Sequence, residues 1–482
     1  MGLTRFSDDA RILLGNLGDF ASGFVNPSVR LGVTGLSRSG KTVFITALVH
    51  NLIHGGRLPL FKALSDGRIS NAYLQPQPDD GVPRFSYEDH LVKLVEDKEW
   101  PKSTDRISQL RLTIDFEAAS FFTKTVGGGR LNIDIVDYPG EWLLDLPLLT
   151  KDYQTWSSEA IALAKLENRT DFSKPWLQAV GNTDLNARAD ETEIRNLSGL
   201  FTTYLKECRA DERALSMLPP GRFLMPGDLR DSPAVTFAPL PKPDETVDRG
   251  SLYKLMERRY ESYKQLVVQP FFRDHFARLD RQIILVDALQ ALNAGPEAVK
   301  DLETALTEIL LCFNPGRSSW LFSILSRRID RLLFAATKAD HLHREDHDNL
   351  QRVLQSLVSK AIERAKFAGA KVDVTALASV RATREATFKS NGDELACIAG
   401  VPLKGEQIDG EIFDGIEKKA IYPGSLADVM KTMRMADAPK TDLRFIRFRP
   451  PEIETTAEGL SLSLPHIRLD RALEFLLGDK LQ

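Results

Sequence analysis

The chain has little cysteine and no strong charge. Its 482 residues include three cysteines, at Cys208, Cys312 and Cys397. They are odd in number, far apart and form no C-x-x-C pair. That excludes a disulfide framework and a cysteine zinc site and fits a reducing, cytoplasmic setting. Lys and Arg number 63 against 67 Asp and Glu, a formal net charge of −4. Nothing in that balance asks for nucleic acid or an anionic membrane surface. There is no signal peptide and no run of 18 apolar residues, so neither secretion nor a membrane span is expected. The stretch Met1-Gly2-Leu3-Thr4-Arg5-Phe6 lacks the Ser or Thr at position six that myristoylation needs. An opening helix carries Leu13, Leu17, Phe20 and Phe24 on one face. Its charges include Asp8, Asp9 and Asp19, so packing on the main domain is expected rather than a membrane-lying role. Internal repeats and low-complexity segments are also missing. A hydrophobic content of 43% supplies the core of one large domain with insertions, or of two to three domains.

What is present is a set of nucleotide-reading signals in a fixed order. Gly35-Leu36-Ser37-Arg38-Ser39-Gly40-Lys41-Thr42 fits G-x-x-x-x-G-K-[ST]. Its glycines turn backbone N–H groups toward an anion, and the next helix presents its positive end. The strand-like run Val29–Thr34 precedes it, and Val43, Phe44, Ala47, Leu48 and Leu52 follow at helical spacing. Backbone groups of Ser39, Gly40 and Val43 are expected on the phosphates, with Lys41 on the β- and γ-phosphates and the Thr42 hydroxyl on Mg²⁺. Arg38 is a candidate for phosphate contact or for charge stabilisation in cis.

Leu131–Asp137 reads as a strand ending in acid and runs into Asp137-Tyr138-Pro139-Gly140, a D-x-x-G. Asp137 is expected to hold Mg²⁺ through water, and Gly140 to bring its N–H to the γ-phosphate. Leu110–Phe116 lies just before, across Gly127-Gly128-Gly129. So short a link implies an antiparallel pair. G domains place such a pair there, whereas adenylate-kinase-like and recombinase-like P-loop folds do not. Thr104 stands where G domains carry the threonine that closes over γ-phosphate and metal; Ser103 is its rival, and a helix cap is the plainer role. Trp100 either lies against the base or belongs partly to the core. Glu141 occupies the usual place of a water-orienting Gln. It either acts on water or is an exposed acid in a mobile loop.

Arg281–Asp287 and Arg331–Ala336 are further strands, and the second runs into Thr337-Lys338-Ala339-Asp340. This is the [NT]-K-x-D element that reads guanine. Asp340 can accept from N1–H and the exocyclic amine, which adenine cannot offer. Lys338 lays its stem along the ring. Lys371–Leu377 is a last strand, followed by Ser379 and Val380 in the place of a base-edge element. His341 adjoins Asp340 and is a candidate base contact. His341, His343 and His347 have metal-like spacing, but a solvated loop accounts for them more plainly. These sites sit mostly at the C-terminal ends of strands, where open α/β sheets bind ligands.

The expected architecture is a G-domain-like α/β P-loop fold, with a mostly parallel sheet and helices on both faces. Residues 1–144 would hold the first half of the G domain and 281–383 the second. Residues 145–280 are too long for one crossover and read as an insertion. It would carry helices near Glu191–Cys208 and Leu252–Val268 and a proline-rich strap between them. Residues 384–482 would form an appendage with short strands such as Phe445–Phe448 and a last helix, Arg471–Leu477, capped by Asp470.

The chain resembles the YcjX-like family of bacterial stress-associated P-loop proteins. The resemblance rests on Gly35–Thr42, Asp137–Trp142, Thr337–Asp340, Ile421-Tyr422-Pro423-Gly424 and His466–Leu476, and it spans nearly the whole chain. It implies a cytoplasmic G-protein-like NTPase linked to stress, with a membrane-protein partner at the inner membrane. The residues themselves predict GTP or GDP with Mg²⁺. Slow hydrolysis is expected in the absence of a supplied arginine, on the order of 10⁻⁴ to 10⁻² per second. They leave open a homodimer, an ATPase and a scaffold that barely turns over.

Overall fold

The computed structural model describes residues 27–482 except 37, 103–105, 118–128, 211–212, 231, 312–328, 368, 391–392, 409, 428–442 and 454–462. The opening helix and Ser103/Thr104 therefore lie outside the described residues.

Seven strands form the main sheet. In chain order they are β1 (Ser28–Gly35), β2 (Ile69–Gln75), β3 (Ser108–Phe116), β4 (Gly129–Asp137), β5 (Arg281–Val286), β6 (Arg331–Ala336) and β7 (Lys371–Ala376). Their spatial order is β2-β3-β4-β1-β5-β6-β7. The β4-β1-β5-β6-β7 neighbours are parallel, while β3 runs antiparallel to both β4 and β2. The Gly-rich link thus makes the expected reversal. The edge strand β2 was not anticipated; its mixed sequence, Ile-Ser-Asn-Ala-Tyr-Leu-Gln, has only Ala72 buried.

Both faces of the sheet are covered, so the central strands are apolar on both sides. Ile283 and Leu285 join Leu31, Val33, Leu333 and Ala335 in one core. Their neighbours Ile284 and Val286 join Val136, Phe334 and Ala336 in the other. That alternation is the period of two of a pleated strand. Helix α1 (Lys41–Ile53) covers the first face.

Between β4 and β5 the chain forms α2 (Tyr153–Ala164), α3 (Glu167–Gly181), α4 (Glu191–Cys208) and α5 (Leu252–Tyr263). These helices share the second core with the sheet. Aromatic rings fill it: Trp156 stacks on Tyr260 at 4.9 Å and Trp176 on Tyr204 at 5.6 Å. The proline-rich stretch lies across them, with Phe223, Leu224 and Phe237 buried and Phe223 edge-on to Phe237. A buried ion pair from Arg169 to Asp301 ties α3 to α6 (Pro296–Leu311). The helix expected over Leu252–Val268 ends at Tyr263 and widens into a π-turn, Lys264–Val268, before a further helix at Gln269–Asp274.

After β7 and α7 (His347–Leu357) comes a small antiparallel sheet of β8 (Arg384–Ser390), β9 (Asp393–Gly400) and β10 (Lys419–Ile421). Phe445–Phe448 is not a strand there; its one ladder contact is an isolated bridge from Phe448 to Pro402. The last helix, α8, spans Leu469–Leu477 and starts two residues before the expected Arg471. Asp470 is not its cap. The cap position is Arg468, and the Asp470 carboxylate accepts the backbone N–H of Leu60 at 3.0 Å. Leu469, Leu473, Leu476 and Leu477 return to the α1 face, each contributing about 1.5–3 kcal/mol by burial. Arg281 of β5 anchors the turn after α8 through Asp479 at 2.6 Å. No helix among the described residues is long and apolar enough to cross a membrane.

Candidate functional site

The loops after the parallel strands β1, β4, β6 and β7 line a cavity of about 320 Å³. At one end lie Gly35, Leu36, Arg38, Ser39, Gly40, Lys41, Thr42 and Val43. The loop turns at Arg38 (φ 61°) and Gly40 (φ 78°), both left-handed, and Gly40 tolerates this at no steric cost. Helix α1 starts at Lys41, so its first-turn amides open on the cavity. Ser39 Oγ is buried without a hydrogen-bond partner among the described residues. A Cβ on Gly35 would stand 2.0 Å from that oxygen. Such a cradle of donors suits an anion.

Lys41 is buried, and its ammonium lies 2.5 Å from Asp137 Oδ1. Ser108 approaches the other carboxylate oxygen at 3.5 Å. Of the three expected metal ligands, Thr42 lines the cavity. Asp137 is fully buried and pairs with Lys41, which lines the cavity. Thr104 lies outside the described residues. Hydroxyl and carboxylate oxygens are the hard donors that Mg²⁺ takes, so the residues present fit that ion.

The D-x-x-G segment closes this end. A Cβ on Gly140 would meet the Gly35 carbonyl oxygen at 1.9 Å, so only glycine allows the two loops to touch. Gly140–Thr150 forms a 3-10 segment that is buried except at Thr150. It is not a mobile exposed loop, and Glu141 is not an exposed acid. Glu141 is 6% exposed and lines the cavity. Its Oε1 lies 2.8 Å from Nη2 of Arg209, the residue that ends α4. The neighbouring segment from the proline-rich stretch holds this turn firmly. Gly221 N–H donates to Asp145 at 2.7 Å, as does Tyr263 O–H at 2.6 Å. Trp142 Nε1–H donates to the Met225 carbonyl at 2.9 Å, and the Arg222 guanidinium lies 3.1 Å over the Trp142 ring. Burial pushes the Asp145 carboxyl up to about 6 against the pull of those donors.

At the other end stand Thr337, Lys338, Asp340 and His341, with Ala378, Ser379 and Val380. Lys338 takes a left-handed conformation (φ 60°). Its ammonium is fixed at 2.5 Å by Asp287, which follows β5, and this holds its stem along the cavity. Asp340 is buried. Its Oδ2 accepts the Ala382 N–H at 2.8 Å, and its carbonyl accepts the Thr383 hydroxyl. Desolvation raises the Asp340 carboxyl to about 6, opposed by the Ala382 N–H and Lys338. Burial lowers His341 to about 3, helped by Lys338, so its ring is neutral. Trp100, Leu403, Arg447 and Phe448 complete the wall. Trp100 Nε1–H donates to the Phe448 carbonyl at 2.6 Å, and His341 meets the Phe448 ring edge-on at 5.4 Å. The three histidines do not gather: among the described residues no group of three or more His, Cys, Asp or Glu could hold a metal.

Sequence reasoning missed five residues. Asp287 ended a visible strand but carried no motif. Leu403, Arg447 and Phe448 come from far along the chain with no local signal, and nothing marks Arg209 in its neighbourhood.

The profile of the YcjX-like family, DUF463, matches residues 29–481. A protein of Escherichia coli (strain K12) named Ras-like GTPase YcjX is 38% identical over 470 residues, covering 95% of this chain and 97% of that protein. A protein of the same name from Shewanella oneidensis (strain MR-1) is 33% identical over 480 residues, covering 94% and 95%. Motifs, cavity and likenesses extend over almost the whole chain, which belongs to the YcjX-like family, DUF463.

Proposed function

We propose that this chain is a Mg²⁺-dependent GTP-binding protein that hydrolyses GTP slowly and acts as a nucleotide-controlled switch. The observation that carries the reading is the shared cavity. A phosphate cradle with Lys41 stands at one end, and a buried carboxylate at the end of T-K-A-D stands at the other. The name Ras-like GTPase borne by both relatives supports the same reading.

In this reading Lys41 leaves Asp137 for the β- and γ-phosphates, and the amides of Ser39–Val43 bind the phosphate oxygens. Asp340 accepts from guanine, Lys338 lies along the ring, and Ser379 and Val380 touch the base edge. Thr42, Thr104 and Asp137 would hold Mg²⁺, which would supply charge neutralisation at the phosphate oxygens. Gly140 reports the γ-phosphate. Glu141 is already inside the cavity wall, within reach of water beside the phosphates. The family resemblance adds a stress-linked role and a membrane-protein partner to the proposal.

Titration with fluorescent GDP and ADP in Mg²⁺, followed by phosphate release from GTP, tests the reading. Guanine-selective binding with slow turnover is expected; equal or adenine-selective binding would overturn the base assignment. A second reading, a nucleotide-stabilised scaffold that does not turn over, is favoured by the Glu141–Arg209 ion pair. It predicts phosphate release no faster than that of Lys41→Ala.

A further inference from the structure

A second cavity abuts the first. Leu36, Arg38 and Glu141 line both, and Arg209, Asp287 and Gln290 line the second alone. Arg209 therefore stands one residue's width from the phosphate end, with Glu141 between. The helix before it is well anchored. Arg209 follows α4, whose face of Ile194, Leu197, Phe201, Tyr204, Leu205 and Cys208 is buried. Its side chain is 23% exposed and reaches toward the nucleotide loops rather than into solvent.

We propose that Arg209 is a catalytic arginine supplied in cis by the segment between β4 and β5. It exchanges its ion pair with Glu141 for the γ-phosphate as charge builds there. This inference rests on the GTPase reading. In the step, a water oxygen bonds to the γ-phosphorus. The bond from that phosphorus to the β,γ-bridging oxygen breaks, and its electron pair stays on the β-phosphate of GDP. The water proton passes to the released phosphate. Arg209 donates two N–H groups to oxygens that become more negative, a task suited to its planar fork. The Glu141 carboxylate it leaves behind is then available to orient the water. While no γ-phosphate is present, the same ion pair holds the Arg209 guanidinium behind Glu141, outside the first cavity. A GTPase built this way carries its own accelerator, with α4 as the lever.

The test is single-turnover hydrolysis of GTP bound to the full chain, read as GDP formed. Arg209→Ala is expected to slow it about 10²–10³-fold, with GDP affinity within threefold of wild type. Arg209→Lys keeps a charge for Glu141 and so the fold. It is expected to recover less than tenfold of the loss, because it lacks the fork. Wild type with GDP and aluminium fluoride should form a tight transition-state complex that both variants fail to form. A purely structural role would leave that complex intact. If wild type does not exceed Lys41→Ala, the GTPase reading itself fails. If wild type hydrolyses GTP and either variant stays within threefold of it, the role of Arg209 alone is overturned.

Discussion

The two ends of the cavity are built in opposite ways. The phosphate end is made of contiguous chain: eight residues turn out of β1 into α1, and one glycine from the D-x-x-G presses on them. The base end is assembled from T-K-A-D, the loop at Ala378–Val380, Trp100, and Leu403, Arg447 and Phe448 from far downstream. Local construction gives the phosphate end its lining from short range, with remote segments acting on it only from behind. Assembly from five distant segments makes the base end depend on the whole fold. Nucleotide retention should therefore respond to remote wall residues most directly at the base end.

The largest effect should come at the phosphate end. Lys41→Ala is expected to weaken GDP binding about 10³-fold, since a buried charge pair loses one partner; titration with fluorescent GDP checks it. Unchanged affinity would remove Lys41 from the phosphate site. At the base end, Asp340→Asn should weaken GDP about 100-fold and strengthen xanthosine diphosphate by a similar factor, because the amide presents a donor where guanine offers one. Competition between the two nucleotides measures the switch. Undiminished guanine preference would separate Asp340 from the base.

Acidity sharpens the contrast. The Asp340 carboxyl sits at about 6 in the free protein, and guanine needs it ionised. Affinity for GDP should be flat above pH 6 and fall toward tenfold per unit below it. His341, held near 3, contributes nothing in that range. Asp340→Asn should lose the dependence, and calorimetric titrations from pH 5 to 8 would reveal a slope that persists if another group is responsible. The smallest effect belongs to the remote wall. Phe448→Leu should speed GDP release by about tenfold through lost aromatic contact with His341, while leaving the rate of hydrolysis of bound GTP unchanged. A stopped-flow release rate equal to wild type would detach the downstream wall from retention.

The sheet and the phosphate end were legible because their signals are local. Strand boundaries followed from apolar runs, and the helix expected near Glu191–Cys208 spans those residues behind the capping acid Asp190. The base end was half legible. Thr337–Asp340 is a motif, whereas Phe448 is an ordinary aromatic whose place depends on a bridge to Pro402. Asp470 misled for a physical reason: an acid before an apolar run resembles a cap, but tertiary contact with Leu60 claims its carboxylate. Glu141 was open between two roles because burial of Gly140–Thr150 comes from the proline-rich segment, where Gly221 fits so closely that a Cβ would stand 1.8 Å from the Glu141 carbonyl oxygen.

Helix α8 bears on how the protein is made. The phosphate loop is synthesised well before α8, yet the sheet face beside α1, at β6, stays open until Leu469–Leu477 arrive. Asn51 of α1 also waits for Leu464, whose backbone N–H and carbonyl it bonds at 2.9 and 3.1 Å. A nascent chain thus carries the nucleotide motif long before it can hold nucleotide. Translation arrest anywhere upstream of α8 leaves an exposed apolar strip for chaperones to recognise.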